Sequence, residues 1–447
     1  MAVTLPEPFL QRMQQMLGEE FPQFLAAYEE PHAKGIRVNP LKCEVDTLEK
    51  ALDAPLVPSP FSPLNYYSPL EKVGTVPLYH AGAFYSQEPS ASSAVTLLAP
   101  EPGDRVLDLC AAPGGKSTQI AACLCGKGLL WSNEIVRSRA NILLSNMERM
   151  GVRNAVVSSC HPEALCGGLA GFFDKVLVDA PCSGEGMFRR DPQAVAEWSP
   201  EHVKACADRQ LAILRSAAKA VREDGILVYS TCTFSPEENE GVIRRFLEEE
   251  PGFVLEPAQV SFGRPADGME AVRIYPMDGG EGHFAAKLRR VAANPSCPGK
   301  AMLPPEKGEG YRLARELLLA ILQKAPQSAL LQAGNRFYLA PDELPNCKGL
   351  GVLRAGVEVG ELKGKRMEPA HGLFMAARPE ELAFCVNFGS DSSEIAAFLR
   401  GEELGIELEA PNGTYVGVAV DGVVTGFGKY SGGRLKNHYP KGLRNKK

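Results

Sequence analysis

The chain has 447 residues, 45% apolar and 23% charged, the balance of an ordinary globular protein with length for about three domains. Its 48 basic and 54 acidic residues leave a formal net charge of -6, which excludes a global basic field and puts any nucleic-acid partner on local charge. No apolar run nears the roughly 18 residues of a membrane span, and the N-terminus lacks a signal-peptide layout, so a cytoplasmic protein with no membrane partner is expected.

Taken in chain order, Phe9, Met13, Met16 and Leu17 recur at helical spacing, and Phe21, Phe24, Leu25 and Tyr28 extend the pattern past Pro22. Gly35 to Pro40 reads as a short strand and turn. From about residue 104 strands and helices alternate. Strands are predicted at Arg105 to Leu109, Leu129 to Ser132, Ala155 to Ser158, Lys175 to Val178 and Ile226 to Tyr229. Helices are predicted from Ser117 to Cys125, Arg137 to Met150, Glu201 to Arg222 (stopped by Asp224-Gly225) and from Pro236 onward. This alternation predicts an α/β fold: a doubly wound, mostly parallel Rossmann-like sheet with helices on both faces.

Residues from Ala293 to Gly310 hold four prolines and three glycines and read as a linker. Beyond it, a helix from Tyr311 to Lys324 precedes short strands at Arg336 to Leu339, Leu350 to Ala355 and Val416 to Val420. The expected organisation is an N-terminal helical subdomain (1–75), an α/β core (76–292), the linker (293–310) and two small α+β modules (311–378 and 379–447). Twelve cysteines contain no Cys-x-x-Cys pair, so neither a zinc site, nor any other metal centre, nor a disulfide framework is expected.

The strongest local signal is Val106-Leu-Asp-Leu-Cys-Ala-Ala-Pro-Gly-Gly-Lys-Ser117, a strand running through a glycine turn into a helix. Such a turn lets a ligand approach backbone N–H groups near a helix N-terminus. It is not a phosphate loop. That motif needs glycine where Cys110 stands, and Pro113 has no N–H to offer. Glu134 ends the next strand, where an acidic residue accepts hydrogen bonds from ribose hydroxyls, so turn and acid together point to an adenosine cofactor without a pyrophosphate. Two cysteines, Cys182 in Asp179-Ala-Pro-Cys182 and Cys232 in Ser230-Thr-Cys232, follow strands at their carboxyl ends, where open parallel sheets hold ligands.

These motifs resemble the Nop/Sun family of RNA cytosine carbon-5 methyltransferases, and most closely its bacterial RsmF-like branch. Arg37-Val-Asn-Pro-Leu-Lys42, Gly280-Glu-Gly-His-Phe284, Glu368-Pro-Ala-His371 and Leu435-Lys-Asn-His-Tyr-Pro-Lys-Gly-Leu443 extend the resemblance over nearly the whole chain. It implies a class I methyltransferase core, a C-terminal PUA-like RNA-binding domain, and formation of 5-methylcytidine in ribosomal RNA of the small subunit. Cytosine carbon 5 is a poor nucleophile, and a thiolate adding to carbon 6 pushes electrons onto it. The resemblance assigns Cys232 as that nucleophile, Cys182 to product release, and Asp179 to contacts with cofactor and base. It surrounds the methionine part of S-adenosyl-L-methionine with Cys110, Ala111, Ala112, Pro113, Gly114, Gly115 and Lys116. Glu134 then holds the ribose, and Arg139 matches a further cofactor position. Many relatives place an aspartate near the adenine amino group; here Ser158-Ser-Cys160-His161-Pro-Glu163 stands, leaving the contact to His161 or lost.

RNA contact must come from local charge. Lys429 to Lys447 holds seven Lys and Arg and no acid, with Tyr430, His438 and Tyr439 between them. Lys429, Arg434, Lys436 and His438, with Arg37, Asn39 and Lys42, are the expected RNA-contacting groups. Lys287, Arg289 and Arg290 form a weaker cluster. Partners are then RNA, as naked ribosomal RNA or the assembling small subunit, with the chain a monomer. The rival readings are methylation of transfer RNA and a non-catalytic assembly factor that binds RNA.

Overall fold

The computed structural model describes residues 4–445 other than 267, 295–297, 300 and 304, so Cys297, Lys446 and Lys447 lie outside the described residues. Phe9, Met13 and Leu17 line the inner face of the helix Glu7–Leu17, and Phe24 that of Phe21–Glu29. Both faces close on Phe188, Trp198, Phe234 and Tyr275 of the core, with the Phe9 and Phe188 rings 5.0 Å apart. Truncating a buried ring such as Phe9 costs about 3–5 kcal/mol, so these helices belong to the central body. Met16 is only partly buried and Leu25 is exposed, so the apolar face is narrower than the sequence pattern. The strand Gly35–Val38 then pairs antiparallel with Asn65–Tyr67 and Phe84–Ser86.

Among the described residues, ten strands form the central sheet. Five of them, β1 (Arg105–Asp108), β2 (Leu129–Asn133), β3 (Ala155–Ser158), β4 (Phe173–Asp179) and β5 (Val221–Thr231), are parallel in the order β5-β4-β1-β2-β3. Four antiparallel strands, β6 (Phe253–Glu256), β7 (Arg264–Ala266), β8 (Met269–Ile274) and β9 (His283–Arg290), extend the β5 edge. β10 (Val352–Ala355) closes the opposite edge, antiparallel to β3. Leu107, Trp131, Val156 and Val176 are buried as a strand covered on both faces requires. The helices α1 (Gly115–Leu124) and α2 (Arg137–Arg149) cover one face. The other face is covered by α3 (Pro162–Gly168), α4 (Pro200–Ala220) and the helix Glu240–Glu249. The doubly wound class I core is therefore present, with antiparallel strands added at both edges.

Three elements depart from expectation. The strand expected from Leu350 to Ala355 lies in the central sheet, because its backbone finds the open edge of β3. α4 ends at Ala220 because Val221 already pairs with Phe173; pairing resumes at Ile226 with Lys175, and Asp224, at φ 58°, belongs to the bulge between them. The helix after Cys232 begins at Glu240 instead of Pro236, since Glu238 and Asn239 turn back toward Ser235 and bury their side chains.

Past the core, the described part of the expected linker is tied down: Asn294 Nδ2 donates to the Val221 carbonyl at 2.8 Å, and Glu306 pairs with Arg315 at 2.6 Å. The helix Glu309–Ile321 packs on a four-stranded sheet containing Arg336–Leu339 and Val357–Lys363. A five-stranded sheet follows, built around Tyr415–Val420, Val423–Ser431 and Arg434–Asn437. No helix among the described residues is long and apolar enough to cross a membrane.

Candidate active site

At the carboxyl ends of the parallel strands lies a cleft of about 1010 Å³, lined by Cys110, Glu134, His161, Asp179, Cys182 and Cys232 among others. β4 and β5 are parallel neighbours in register Asp179 to Ser230, so the loops that follow them leave the sheet at one height. This brings Cys182 Sγ within 3.2 Å of Cys232 Sγ. The hydrogen bond that the Cys182 thiol shares with Cys232 and burial together push it well above its ordinary value, so it stays protonated. Gly186 N–H donates to the Cys232 carbonyl at 2.9 Å, and a Cβ on Gly186 would come within 2.7 Å of the Gly282 carbonyl. Only glycine fits there.

Beside the thiols, Asp179 is held on both oxygens: Ser230 Oγ donates to Oδ1 at 2.7 Å and Lys116 Nζ to Oδ2 at 2.8 Å. Burial works against the Lys116 charge, but Asp179 outweighs it and the ammonium titrates above its usual value. Beneath them Asp108 is buried, one oxygen accepting from Ser117 Oγ at 2.7 Å and the other without a partner among the described residues. Burial raises its carboxyl to about 7. Cys110, on the bend itself, is pushed well up by burial and by the surrounding carboxylates.

The bend is shaped from several directions. Gly114 sits at φ 116°, a conformation that favours glycine. Ala111 N–H donates to the Asn133 carbonyl, and the carbonyls of Ala112 and Pro113 accept from Arg139 Nη2 (3.0 Å) and Asn146 Nδ2 (2.9 Å) of α2. A Cβ on Gly115 would meet the Gln87 amide at 2.8 Å. Glu134 is buried: one oxygen accepts from Val136 N–H at 2.9 Å and the other faces Arg139 at 3.3 Å. His161 and Glu163 line the cleft beyond it, and both are exposed.

Two of the expected RNA-contacting residues are corrected. Arg37 and Asn39 are buried. Arg37 bonds Gln87 and Thr118 Oγ1 beneath the glycine bend, and Asn39 Nδ2 donates to the carbonyls of Gly82 and Met150. Their guanidinium and amide are consumed in the interior, so this motif braces the bend. Lys42 Nζ donates to the Val424 carbonyl at 2.9 Å, joining the N-terminal part to the C-terminal sheet; burial brings its pKa to about 7. At the C-terminus, Lys429 lies over the Tyr415 ring at 5.2 Å, and His438 stacks on Phe427 at 5.1 Å. Arg434 and Lys436 are exposed.

The sequence reading missed a buried polar frame. Glu238 accepts from Ser183 N–H (2.9 Å) and Gln210 Nε2 (2.7 Å), clamping the Cys182 loop to α4. Burial raises its pKa. Glu185 accepts from Trp198 Nε1 at 2.9 Å and Phe234 N–H at 3.0 Å and pairs with Arg12 of the first helix. The dense polar run Ser235 to Glu240, too polar for a helix stripe, was the available signal.

A doubly wound core with a glycine bend, a ribose-height carboxylate and paired thiols at one cleft defines a class I methyltransferase. The donor set also fits S-adenosyl-L-methionine, its cofactor: a bend held open by carbonyls turned toward α2, an unpartnered buried Asp108 oxygen and a fixed Glu134. Family models for the 16S rRNA methyltransferase RsmB/F match residues 95–289, with the RsmF N-terminal domain at 5–89, its first C-terminal domain at 314–376 and its PUA domain at 385–445. The ribosomal RNA small subunit methyltransferase F of Erwinia tasmaniensis is 33% identical, over 99% of this chain and 97% of the relative. That of Vibrio cholerae is 32% identical over 99% and 98%. NSun6 from Pyrococcus horikoshii, solved with SFG, superposes with TM-score 0.60 at 25% identity, covering 65% of this chain and all (100%) of that one. The chain belongs to the RsmB/F methyltransferase family.

Proposed function

We propose that this chain methylates carbon 5 of cytidine in small-subunit ribosomal RNA through a transient bond between Cys232 Sγ and carbon 6. One observation carries the reading: two thiols 3.2 Å apart, beside the Lys116–Asp179 pair, in the cleft that Glu134 also lines. Residues 110–116, Glu134 and Arg139 would hold S-adenosyl-L-methionine, which supplies an electrophilic methyl group. A flipped or single-stranded cytidine is required, since carbon 6 is inaccessible within a stack.

In this mechanism the Cys232 sulfur donates its electron pair to carbon 6, and the carbon 5–carbon 6 π pair moves into the ring toward nitrogen 3. Asp179, fixed by Ser230 and Lys116 in the cleft that both thiols line, would contact the base edge there. That electron density makes carbon 5 the nucleophile. Once carbon 5 is methylated, its proton passes to solvent water entering the cleft, the carbon–hydrogen electron pair re-forms the double bond, and the sulfur–carbon 6 bond breaks with its pair returning to sulfur. The protonated Cys182 thiol hydrogen-bonds the departing Cys232 sulfur and favours its leaving as thiolate.

Similarity to relatives named for the small subunit along nearly their whole length supports ribosomal RNA over transfer RNA, and the C-terminal PUA segment supports RNA contact. All site groups come from one chain, consistent with a monomer, and we place it in the cytoplasm. The expected domain limits at residues 75, 292, 310 and 378 are kept as our proposed division, with Val352–Ala355 of the 311–378 module crossing to the edge of the core sheet.

The test is trapping. Cys182→Ala should accumulate a covalent protein–RNA adduct, visible as a retarded, protease-sensitive band on a denaturing gel with unmodified ribosomal RNA. Cys232→Ala should give neither adduct nor labelled-methyl transfer. Methyl transfer undiminished in Cys232→Ala would overturn the nucleophile, and preference for transfer RNA over free ribosomal RNA or assembled subunits would overturn the substrate.

A further inference from the structure

We infer that His161 and Glu163 read both polarities of the cofactor's adenine edge: His161 Nε2–H donates to ring nitrogen 1 and the Glu163 carboxylate accepts from the neighbouring exocyclic amine. This rests on reading the cleft as the S-adenosyl-L-methionine site. Glu134 ends β2 at ribose height, and the glycine bend and thiols lie on the β1, β4 and β5 side of it. The base carried by that ribose therefore extends the other way, over the end of β3, the parallel neighbour of β2 (Asn133 beside Ser158). The segment there is Ser159 to Glu163.

The Ser159, Cys160 and Glu163 N–H groups of this segment are already committed. Ser159 N–H donates to the Gly351 carbonyl at 2.9 Å. Cys160 N–H donates to Asn133 Oδ1 and its carbonyl accepts from Asn133 Nδ2, both at 3.0 Å. The side chains of His161 and Glu163 face the cleft and are the groups left to meet a base edge. His161 caps α3, and its Nδ1 accepts from Glu163 N–H at 3.3 Å, so the neutral ring carries its hydrogen on Nε2. Among the described residues that Nε2 has no partner, and the ring lines the cleft. The Glu163 carboxylate, also exposed and lining the cleft, has no partner among the described residues either. Ile135, Pro162, Pro181 and Ile213 supply apolar walls for a planar ring between them.

An acidic contact can only accept from the amine. A capping histidine offers a donor instead, and adenine has ring acceptors beside its amine. The two side chains thus match both polarities of the purine edge, where a single acid matches one.

Equilibrium titration calorimetry of the full chain with S-adenosylhomocysteine, its 1-deaza analogue and S-inosylhomocysteine tests this. His161→Ser retains an N-cap oxygen but cannot reach the base. The wild type should bind the 1-deaza analogue about tenfold more weakly than the parent, the worth of one hydrogen bond. His161→Ser should bind the two alike. Glu163→Ala should lose several-fold affinity for the parent and narrow its preference over S-inosylhomocysteine. Equal wild-type affinity for parent and 1-deaza analogue, or undiminished discrimination in His161→Ser, would overturn the inference while leaving the cofactor in place. Failure of the wild type to bind S-adenosylhomocysteine would instead overturn the cofactor reading on which it rests.

Discussion

The two ends of the cleft are assembled from chain segments of different range. At the thiol end, Asp108, Lys116, Asp179, Cys182 and Cys232 sit on the strands and loops that carry their own motifs, and Glu238 closes the frame a few residues after Cys232. At the purine end, the loop carrying His161 leans on Gly351 and β10, which reach it from beyond the core. Chemistry is thus held locally, and the ligand's far end depends on the C-terminal part. Perturbing each end separately should give separable effects.

The largest effect is expected beneath the thiol end. Burial raises the Asp108 carboxyl from 3.8 to about 7, which at 1.36 kcal/mol per unit is roughly 4 kcal/mol of linkage. The folded state holds this proton more tightly than the unfolded one. The stabilisation is complete below about pH 4 and is lost as pH rises through 7. Asp108→Asn keeps an acceptor for Ser117 and removes the titration. Urea unfolding of both proteins should therefore show the variant gaining stability relative to wild type between pH 4 and 7, by a few kcal/mol. Parallel stability curves across that interval would remove Asp108 from the account.

A smaller effect is expected where α2 meets β10. Glu148 is opposed by burial, yet hydrogen bonds to His371 (3.1 Å) and the charge of Arg354 bring its carboxyl down to about 2. The stabilisation is therefore present above about pH 4.5 and fades as pH falls toward 2. Glu148→Gln should cost roughly 2–3 kcal/mol at pH 7, discounted for a side chain a quarter exposed. Hydrogen exchange should quicken in 350–356 and 159–161 with 179–186 unchanged. Equal quickening at both ends would abolish the distinction between them.

The same contrast explains what the sequence could and could not show. The glycine bend and both cysteines are contiguous motifs at strand ends, and their strands are apolar enough to read unaided. Arg37 and Asn39 were misread because a buried arginine and an exposed one look alike in sequence. What decides between them is the distant pairing with Gln87, Thr118, Gly82 and Met150. β10 was assigned to a separate module because nothing local in Val352 to Ala355 names β3 as its partner. Pro236 drew the helix start too early, since the tertiary roles of Glu238 and Asn239 outweigh local capping preference.

The smallest effect lies farthest from the cleft. Lys429 and Lys436 stand directly opposite on neighbouring antiparallel strands. Like charges so placed repel by a few tenths of a kcal/mol, a cost that a bound phosphate would reverse. Lys429 is steadied over Tyr415, whereas Lys436 is exposed and free to meet RNA. Lys436→Ala should leave folding stability unchanged or slightly raised and weaken ribosomal RNA binding several-fold at low salt. It should also reduce the slope of log affinity against log salt by about 0.7–1, one phosphate contact. S-adenosylhomocysteine affinity should not move, because neither end of the cleft touches this sheet face. An unaltered salt slope would detach the Lys429–Lys436 pair from RNA and leave Arg434 as the exposed cation of that sheet to try next.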